Sequence, residues 1–184
     1  MGVAGCGKSS LGNVLAEAEG AQLIEGDAFH SIANREKMRS GIALDDADRA
    51  GWLESLAAEL RARGSNVVLT CSALKRAYRD RLRAAAPGLR FVFMEIDLPS
   101  ARERIEARDA HFFSPALVAS QFAALESPLG EPGVLRVDAL APLQQLQTEV
   151  FEWLRSGQGA DASADAGKDD APRRARTPLR SGPA

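Results

Sequence analysis

The stretch Gly2-Val3-Ala4-Gly5-Cys6-Gly7-Lys8-Ser9 fits G-x-x-x-x-G-K-[ST], the Walker A pattern of phosphate-binding loops. Its glycines let the backbone bend so that successive N–H groups point at phosphate oxygens. Lys8 brings a positive charge to the β- and γ-phosphates, and the Ser9 hydroxyl is a candidate Mg²⁺ ligand. Residues 10–17 predict a helix whose N-terminal end adds to anion binding. A glycine-rich turn with a chance lysine is the alternative, but the helix and strand predicted next favour a nucleotide site.

Predicted strands and helices alternate along the rest of the chain. Short apolar runs predict strands at 22–25, 67–70, 91–96 and 134–137, and helical patterns occupy 31–40, 45–63, 74–86, 99–108, 114–126 and 142–155. The helix at 45–63 is expected to bury Trp52, Leu53, Leu56, Ala57 and Leu60 and to end at Gly64. Strands separated by helices indicate an α/β fold with a parallel sheet covered on both faces.

Composition limits the classes of protein that the chain can belong to. Its 184 residues predict one domain at 1–155, followed by a disordered tail at 156–184 that is poor in apolar residues. A net charge of −2 without a basic stripe argues against nucleic-acid binding, and no apolar run is long enough for a membrane span. Two cysteines, Cys6 and Cys71, make no disulfide framework, so we expect a cytoplasmic protein.

Polar residues follow two of the predicted strands, on the side of the sheet where α/β proteins bind ligands. Asp27 stands at the carboxyl end of the first strand, where a carboxylate can orient a substrate hydroxyl and accept its proton. Capping the next segment is its alternative role. For His30, help in binding a polyol and a structural hydrogen bond are equally open. Lys37 and Arg49 can reach an anionic substrate or lie on solvated helix faces.

Three sequence blocks carry a specific resemblance. They are Glu25-Gly26-Asp27 with His30; Cys71-Ser72-Ala73-Leu74-Lys75-Arg76 with Tyr78-Arg79-Asp80; and His111-Phe112-Phe113 with Gln121-Phe122. Together with the loop they resemble the bacterial gluconokinase family, within the shikimate-kinase-like P-loop kinases, from Gly2 to about Leu154. The resemblance implies the three-layer P-loop kinase fold, ATP with Mg²⁺, and phosphorylation of gluconate to 6-phosphogluconate. It also suggests a homodimer. The alternatives are a P-loop kinase of another small acceptor, such as shikimate, and a nucleotide-binding protein with little turnover.

The resemblance also implies roles for individual residues. The catalytic set is Lys8, Asp27 and Arg108, and the Mg²⁺ ligand is Ser9. The nucleotide site comprises Gly2, Ala4, Gly5, Cys6, Gly7, Lys8, Ser9, Ser10 and Arg104. The gluconate site comprises Asp27, His30, Lys37, Arg49, Lys75, Arg79 and His111. A guanidinium fork suits a planar carboxylate, so either Arg79 or Arg49 is expected to hold that of gluconate. Residues at about 104–115 correspond to a lid that closes over ATP.

The phosphate loop begins at the second residue. In the fold that the resemblance implies, the strand before this loop lies in the centre of the sheet, between the strands at 67–70 and 91–96. Only Met1 precedes the loop here, so both neighbours are expected to expose unpaired backbone groups. We therefore expect the natural start to lie upstream, and an apolar, β-branched segment added before Met1 to raise the melting temperature and the affinity for ATP.

Overall fold

Helices and parallel strands alternate in the computed structural model of the chain, which describes residues 1–107 and 115–165. The elements are α1 (Lys8–Glu19), β1 (Gln22–Glu25), a short 3₁₀ helix (Gly26–Phe29), α2 (Ile32–Arg39), α3 (Asp46–Arg63), β2 (Val67–Thr70), α4 (Arg76–Ala85), β3 (Phe91–Glu95), α5 (Leu98–Glu106), α6 (Pro115–Ala124), β4 (Val134–Asp138) and α7 (Leu143–Asp165). The predicted α/β class is confirmed. No described helix has the length and hydropathy that a membrane crossing needs.

Helix α3 forms where the sequence predicts it, because both ends carry strong local signals. The Asp45 side chain accepts the Asp48 N–H, and the Asp48 side chain accepts the Asp45 N–H, which makes a complete capping box. Gly64 ends the helix with a positive φ of 69°. All five predicted apolar residues are buried, at no more than 3% exposed. This helix is the main wall of one of the two hydrophobic clusters.

Several helix boundaries differ from the sequence prediction, those of α4 and α7 among them. Helix α4 begins at Arg76 instead of residue 74, because Ala73 takes a positive φ of 43° and interrupts the regular backbone. Helix α7 continues to Asp165, ten residues beyond its predicted end at residue 155. Once a helix is nucleated each further residue adds a hydrogen bond, and this segment contains no proline. The remainder of the predicted tail, 166–184, lies outside the described residues.

The sheet is divided into two parallel pairs. β1 pairs with β2, Gln22 lying opposite Val67, and β3 pairs with β4, Phe91 lying opposite Val134. Within the described residues β2 and β3 are not hydrogen-bonded to each other, which confirms the expected opening at the sheet centre.

Met1 and Gly2 bridge one end of that opening. The Met1 amine donates to the Val92 carbonyl at 2.6 Å, and Met1 accepts from the Met94 N–H at 3.0 Å. On the other side the Gly2 N–H donates to the Ser72 carbonyl at 3.2 Å. Beyond Met1 the space is a cavity of about 390 Å³, which we call the sheet groove. Its walls include residues 67–71 of β2 and the following loop, Phe91, Val92 and Met94 of β3, and apolar side chains of α1 and α7.

Candidate active site

A second cavity, of about 340 Å³, lies beside the phosphate loop at the carboxyl ends of β1 and β2. We call it the loop pocket. It is lined by Ala4, Gly5, Gly7, Lys8, Ser9, Asp27, His30, Arg35, Met38, Ala43, Leu44, Arg49, Ser72, Ile105, Leu117, Ser120 and Gln121. The pocket thus combines apolar walls with a few charged, hydroxyl and amide groups, as is typical of small-molecule sites.

The phosphate loop has the backbone that its sequence predicts. Gly5 and Gly7 have φ values of 85° and 93°, a region that disfavours residues with a side chain. A Cβ on Gly5 would also lie 2.7 Å from the Ala101 carbonyl oxygen, so glycine lets α5 pack against the loop. The Lys8 ammonium donates to the Val3 carbonyl at 2.9 Å, across the loop. This cradle and the start of α1 at Lys8 fit a bound polyphosphate.

Ser9 connects the loop to the end of β1. Its hydroxyl donates to Glu25 Oε2 at 3.1 Å, and the Thr70 hydroxyl donates to the same oxygen at 2.6 Å. A hydroxyl beside a carboxylate suits a Mg²⁺ ion held mainly by phosphates and water. No group of three or more His, Cys, Asp or Glu side chains suitable for a metal occurs in the described residues. Sequence reasoning missed Glu25, although two acids around Gly26 at a strand end were a usable signal.

Asp27 enters the pocket from the 3₁₀ helix that follows β1. The adjoining Gly26 is held by the Trp52 indole, whose Nε1 donates to the Gly26 carbonyl at 2.7 Å. A Cβ on Gly26 would lie 2.4 Å from the Thr70 carbonyl oxygen, so the backbone can approach β2 only at a glycine. The Asp27 side chain itself is exposed and lines the pocket together with Lys8 and Ser9.

His30 forms part of the pocket wall and is nearly buried. Its ring stacks on Trp52 with centroids 4.6 Å apart and planes 10° from parallel. Burial is the main cause that lowers the pKa of His30; Asp27 opposes the shift, while Arg49 and Arg35 add to it. The imidazole is therefore neutral at pH 7. Its Nδ1 is buried without a hydrogen-bond partner among the described residues. Its carbonyl accepts from Arg35 Nε at 3.0 Å, which brings that arginine to the pocket.

Arg49 is the cation of α3 that reaches the pocket, although only 9% of it is exposed. Its neighbour Asp46 accepts from Lys75 Nζ at 2.7 Å and from the Tyr78 hydroxyl. These two hydrogen bonds hold the pKa of Asp46 below its ordinary value. Lys75 is thus paired with Asp46 and lies outside the pocket lining, which does not fit its predicted contact with gluconate.

Lys37 is also engaged elsewhere. Its ammonium lies 2.6 Å from Asp48 Oδ1, and this hydrogen bond is the main cause that raises the pKa of Lys37. The same aspartate completes the capping box of α3. Lys37 is not part of the pocket lining, whereas Arg35 and Met38 from the same helix are. The structure therefore favours Arg49 over Lys37 as the cation for an anionic substrate.

Arg79, one of the two predicted clamps for the substrate carboxylate, is buried outside the loop pocket. Its side chain is 0% exposed, and Nη2 and Nε donate to the Glu131 carboxylate, with Nε at 3.1 and 3.0 Å from the two oxygens. Nη1 donates to the carbonyls of Ala73 and Leu74 at 2.9 and 3.0 Å. Arg79 therefore fixes the loop after β2 from behind, because its fork is already occupied by a carboxylate of the protein. Arg83 joins the same carboxylate at 2.9 Å.

The remaining predicted residues divide between the loop and α5. Ala4, Gly5 and Gly7 line the pocket; Gly2 and Cys6 are buried behind it, and Ser10 is exposed on α1. Arg104 donates from Nη1 to the Ala139 carbonyl at 2.9 Å, and this nitrogen lies 4.0 Å from the position of a Cβ on Gly7. It therefore borders the loop for which its nucleotide contact is predicted. Arg108 and His111 lie outside the described residues.

Three further pocket residues had no role in the sequence prediction. Arg35 is placed by its bond to His30, Ser72 lies two residues after the end of β2, and Gln121 belongs to α6. Gln121 accepts the Ala4 N–H at 2.7 Å through Oε1. Ser72 and Gln121 stand inside two of the quoted sequence blocks, but spacing alone assigns neither of them a partner.

Comparison with known proteins agrees with this geometry. A protein-family model described as "AAA domain" matches residues 1–132. The chain is 38% identical over 162 residues to the thermoresistant gluconokinase of Escherichia coli (strain K12), covering 86% of this chain and 93% of that protein. It is 43% identical over 141 residues to the gluconokinase of Gluconobacter oxydans (strain 621H), covering 74% and 79%. The crystal structure of a gluconokinase from Sinorhizobium meliloti 1021 matches with a TM-score of 0.80 at 42% identity, covering 91% and 94%.

Proposed function

The chain belongs to the gluconokinase family of P-loop kinases, and on that premise we propose that it transfers the γ-phosphoryl group of ATP to the 6-hydroxyl of gluconate. One observation carries the assignment of the site: the phosphate loop, Asp27 and Arg49 line a single pocket. Such a pocket brings phosphate donor, acceptor hydroxyl and acceptor carboxylate within reach of complementary groups.

Asp27 and Lys8 act at opposite ends of the transfer. The gluconate hydroxyl oxygen attacks the γ-phosphorus, the bond to the β–γ bridging oxygen breaks, and ADP leaves. The Asp27 carboxylate accepts the hydroxyl proton, and Lys8 neutralises charge on the β- and γ-phosphates. Ser9, supported by Glu25, would hold Mg²⁺, and the ion would offset the negative charge of the phosphates. Arg104 borders the loop on the nucleotide side.

Arg49 is the proposed partner of the gluconate carboxylate. The sequence offers Arg49 and Arg79 for this role. Arg49 lines the pocket, whereas the Arg79 guanidinium is already paired with Glu131. A planar fork makes two parallel bonds to a carboxylate. Neutral His30 offers its ring edge to the sugar hydroxyls. Arg108 keeps its predicted catalytic role, and His111 keeps its predicted place in the gluconate site. We also propose a cytoplasmic location and a homodimer, on the family resemblance.

The acceptor is tested by ADP release from Mg-ATP with gluconate, shikimate, another sugar acid and glucose, which lacks the carboxylate. We expect gluconate to be the preferred acceptor and Asp27→Asn to lower its kcat by roughly 10²–10⁴-fold at an unchanged melting temperature. Glu36→Gln is the matched control, because it removes an exposed carboxylate of α2 outside the pocket. Preference for another acceptor would overturn the assignment. The sheet groove favours one alternative, a nucleotide-binding protein with little turnover, which would bind ATP and release no ADP with any acceptor.

A further inference from the structure

Gln121 has a hydrogen-bonding arrangement that the functions assigned so far do not use. Its Oε1 is 2.7 Å from the Ala4 nitrogen, on the rim of the phosphate loop. An N–H donor can pair only with the oxygen of a carboxamide, so this bond fixes the orientation of the whole amide. The Nε2 amino group, with two N–H donors, must then point away from Ala4.

The Nε2 group has no acceptor among the described residues, and it is not one of the buried side-chain atoms that lack a partner there. It is therefore accessible to solvent, and the residue that carries it lines the loop pocket. Lys8, Ser9 and Asp27 line the same cavity. An uncommitted donor tied to the phosphate loop is thus placed where phosphate oxygens are expected.

We propose that Gln121 is a further catalytic residue, whose Oε1 holds the loop through Ala4 while its Nε2 donates to an oxygen of the γ-phosphoryl group. The proposal rests on the proposed kinase function. A fixed donor aimed at a group on which charge shifts stabilises the transition state without reorganisation during the reaction. Because Gln121 belongs to α6, it also links the position of that helix to occupancy of the loop by a triphosphate.

Two substitutions separate donation from support of the loop. Gln121→Glu keeps an oxygen for the Ala4 N–H but removes the donors, and Gln121→Met removes both at similar volume. We expect both to lower kcat by roughly 10²-fold, the usual effect of losing one such donor. Gln121→Glu should partly recover as the pH is lowered towards 5.5, because a protonated carboxyl group again carries a donor. Gln147→Met is the matched control, because Gln147 belongs to α7 and lies outside the pocket. Its Nε2 donates to the Val14 carbonyl at a distance of 3.5 Å.

A binding measurement keeps this test independent of the acceptor. Dissociation constants for ATP and ADP are measured by calorimetry in the presence of Mg²⁺. Gln121→Met should weaken ATP binding about tenfold, which corresponds to the loss of one hydrogen bond to a charged group. The affinity for ADP should change less than twofold. Loss of ATP-over-ADP preference supports Gln121 even if gluconate proves to be the wrong acceptor. Wild-type kinetics and binding in Gln121→Glu, with losses only in Gln121→Met, would show that Gln121 merely holds the loop and would overturn the proposal. So would an unchanged ATP-over-ADP preference in Gln121→Met.

Discussion

The loop pocket and the sheet groove are cavities of similar volume, about 340 and 390 Å³, whose walls are held in different ways. Around the pocket, side-chain hydrogen bonds between distant parts of the chain hold the backbone, from Trp52 Nε1 to the Gly26 carbonyl and from the Ala4 N–H to Gln121 Oε1. The groove is bounded by the edges of β2 and β3, which Met1 and Gly2 join at one end. The geometry of the site therefore depends on loop contacts, whereas stability depends on how the sheet centre is filled.

The largest effect is expected from filling the groove. A six-residue apolar, β-branched segment joined to Met1 would replace the buried amine, whose pKa is lowered by burial, with an uncharged amide that still donates to Val92. Each buried backbone group that gains a partner contributes about 1–3 kcal/mol. We expect a rise in melting temperature on the order of 10 °C, at roughly 2–4 °C per kcal/mol for a chain of this size. ATP affinity should rise as well, since Gly2 and the loop follow directly.

The control for this experiment is a segment of equal length made of glycine, serine and proline, which cannot complete a ladder. Both fusions remove the terminal charge next to Val92, so a difference between them isolates strand pairing. Equal melting temperatures in calorimetry for the two fusions would show that the groove does not accept a strand.

The next effect concerns the support behind the pocket. Arg79→Met leaves the Glu131 carboxylate, which is 8% exposed, without its main partner and should destabilise the protein by about 3–5 kcal/mol. Adding Glu131→Leu removes the stranded charge and should recover part of that loss. Hydrogen bonds from Arg79, and secondarily Arg83, hold the pKa of Glu131 below its ordinary value. The wild-type pair therefore stabilises above pH ~4.3 and is lost as the pH falls further, a dependence that the double variant should lack.

Urea unfolding at pH 7 and pH 3.5 measures these differences, and gluconate kinetics at low temperature tests the competing role. If Arg79 instead held the substrate, Arg79→Met would raise the KM for gluconate and leave the unfolding free energy unchanged. That result would show that Arg79 binds the substrate.

The sequence predicts the features that neighbouring residues determine, and it does not predict those that depend on contacts between distant residues. The Walker A stretch, the capped helix α3 and the four strands are encoded by neighbouring residues, so their positions are confirmed. The partners of Arg79, Lys37 and Lys75 lie 52, 11 and 29 residues away in sequence, and spacing cannot reveal that they are already paired. Glu25 and Gln121 were similarly hidden, because their roles depend on contacts with Ser9 and Ala4. Local patterns therefore define elements, while the choice among several cations needs the fold.

The smallest effect distinguishes two of those cations within the pocket region. Arg49→Gln should raise the KM for gluconate roughly 10- to 100-fold, the worth of a hydrogen bond to a charged group at about 1.5–3 kcal/mol. Lys37→Gln should change it less than threefold, because the ammonium is bound to Asp48 and lies outside the pocket lining. The two variants remove the same charge from adjacent helices, so each is the control for the other in steady-state kinetics. Equal increases in KM for the two variants would mean that the overall electrostatic field of the site attracts the anion. A larger increase for Lys37→Gln would require that α2 moves its lysine into the pocket when gluconate binds.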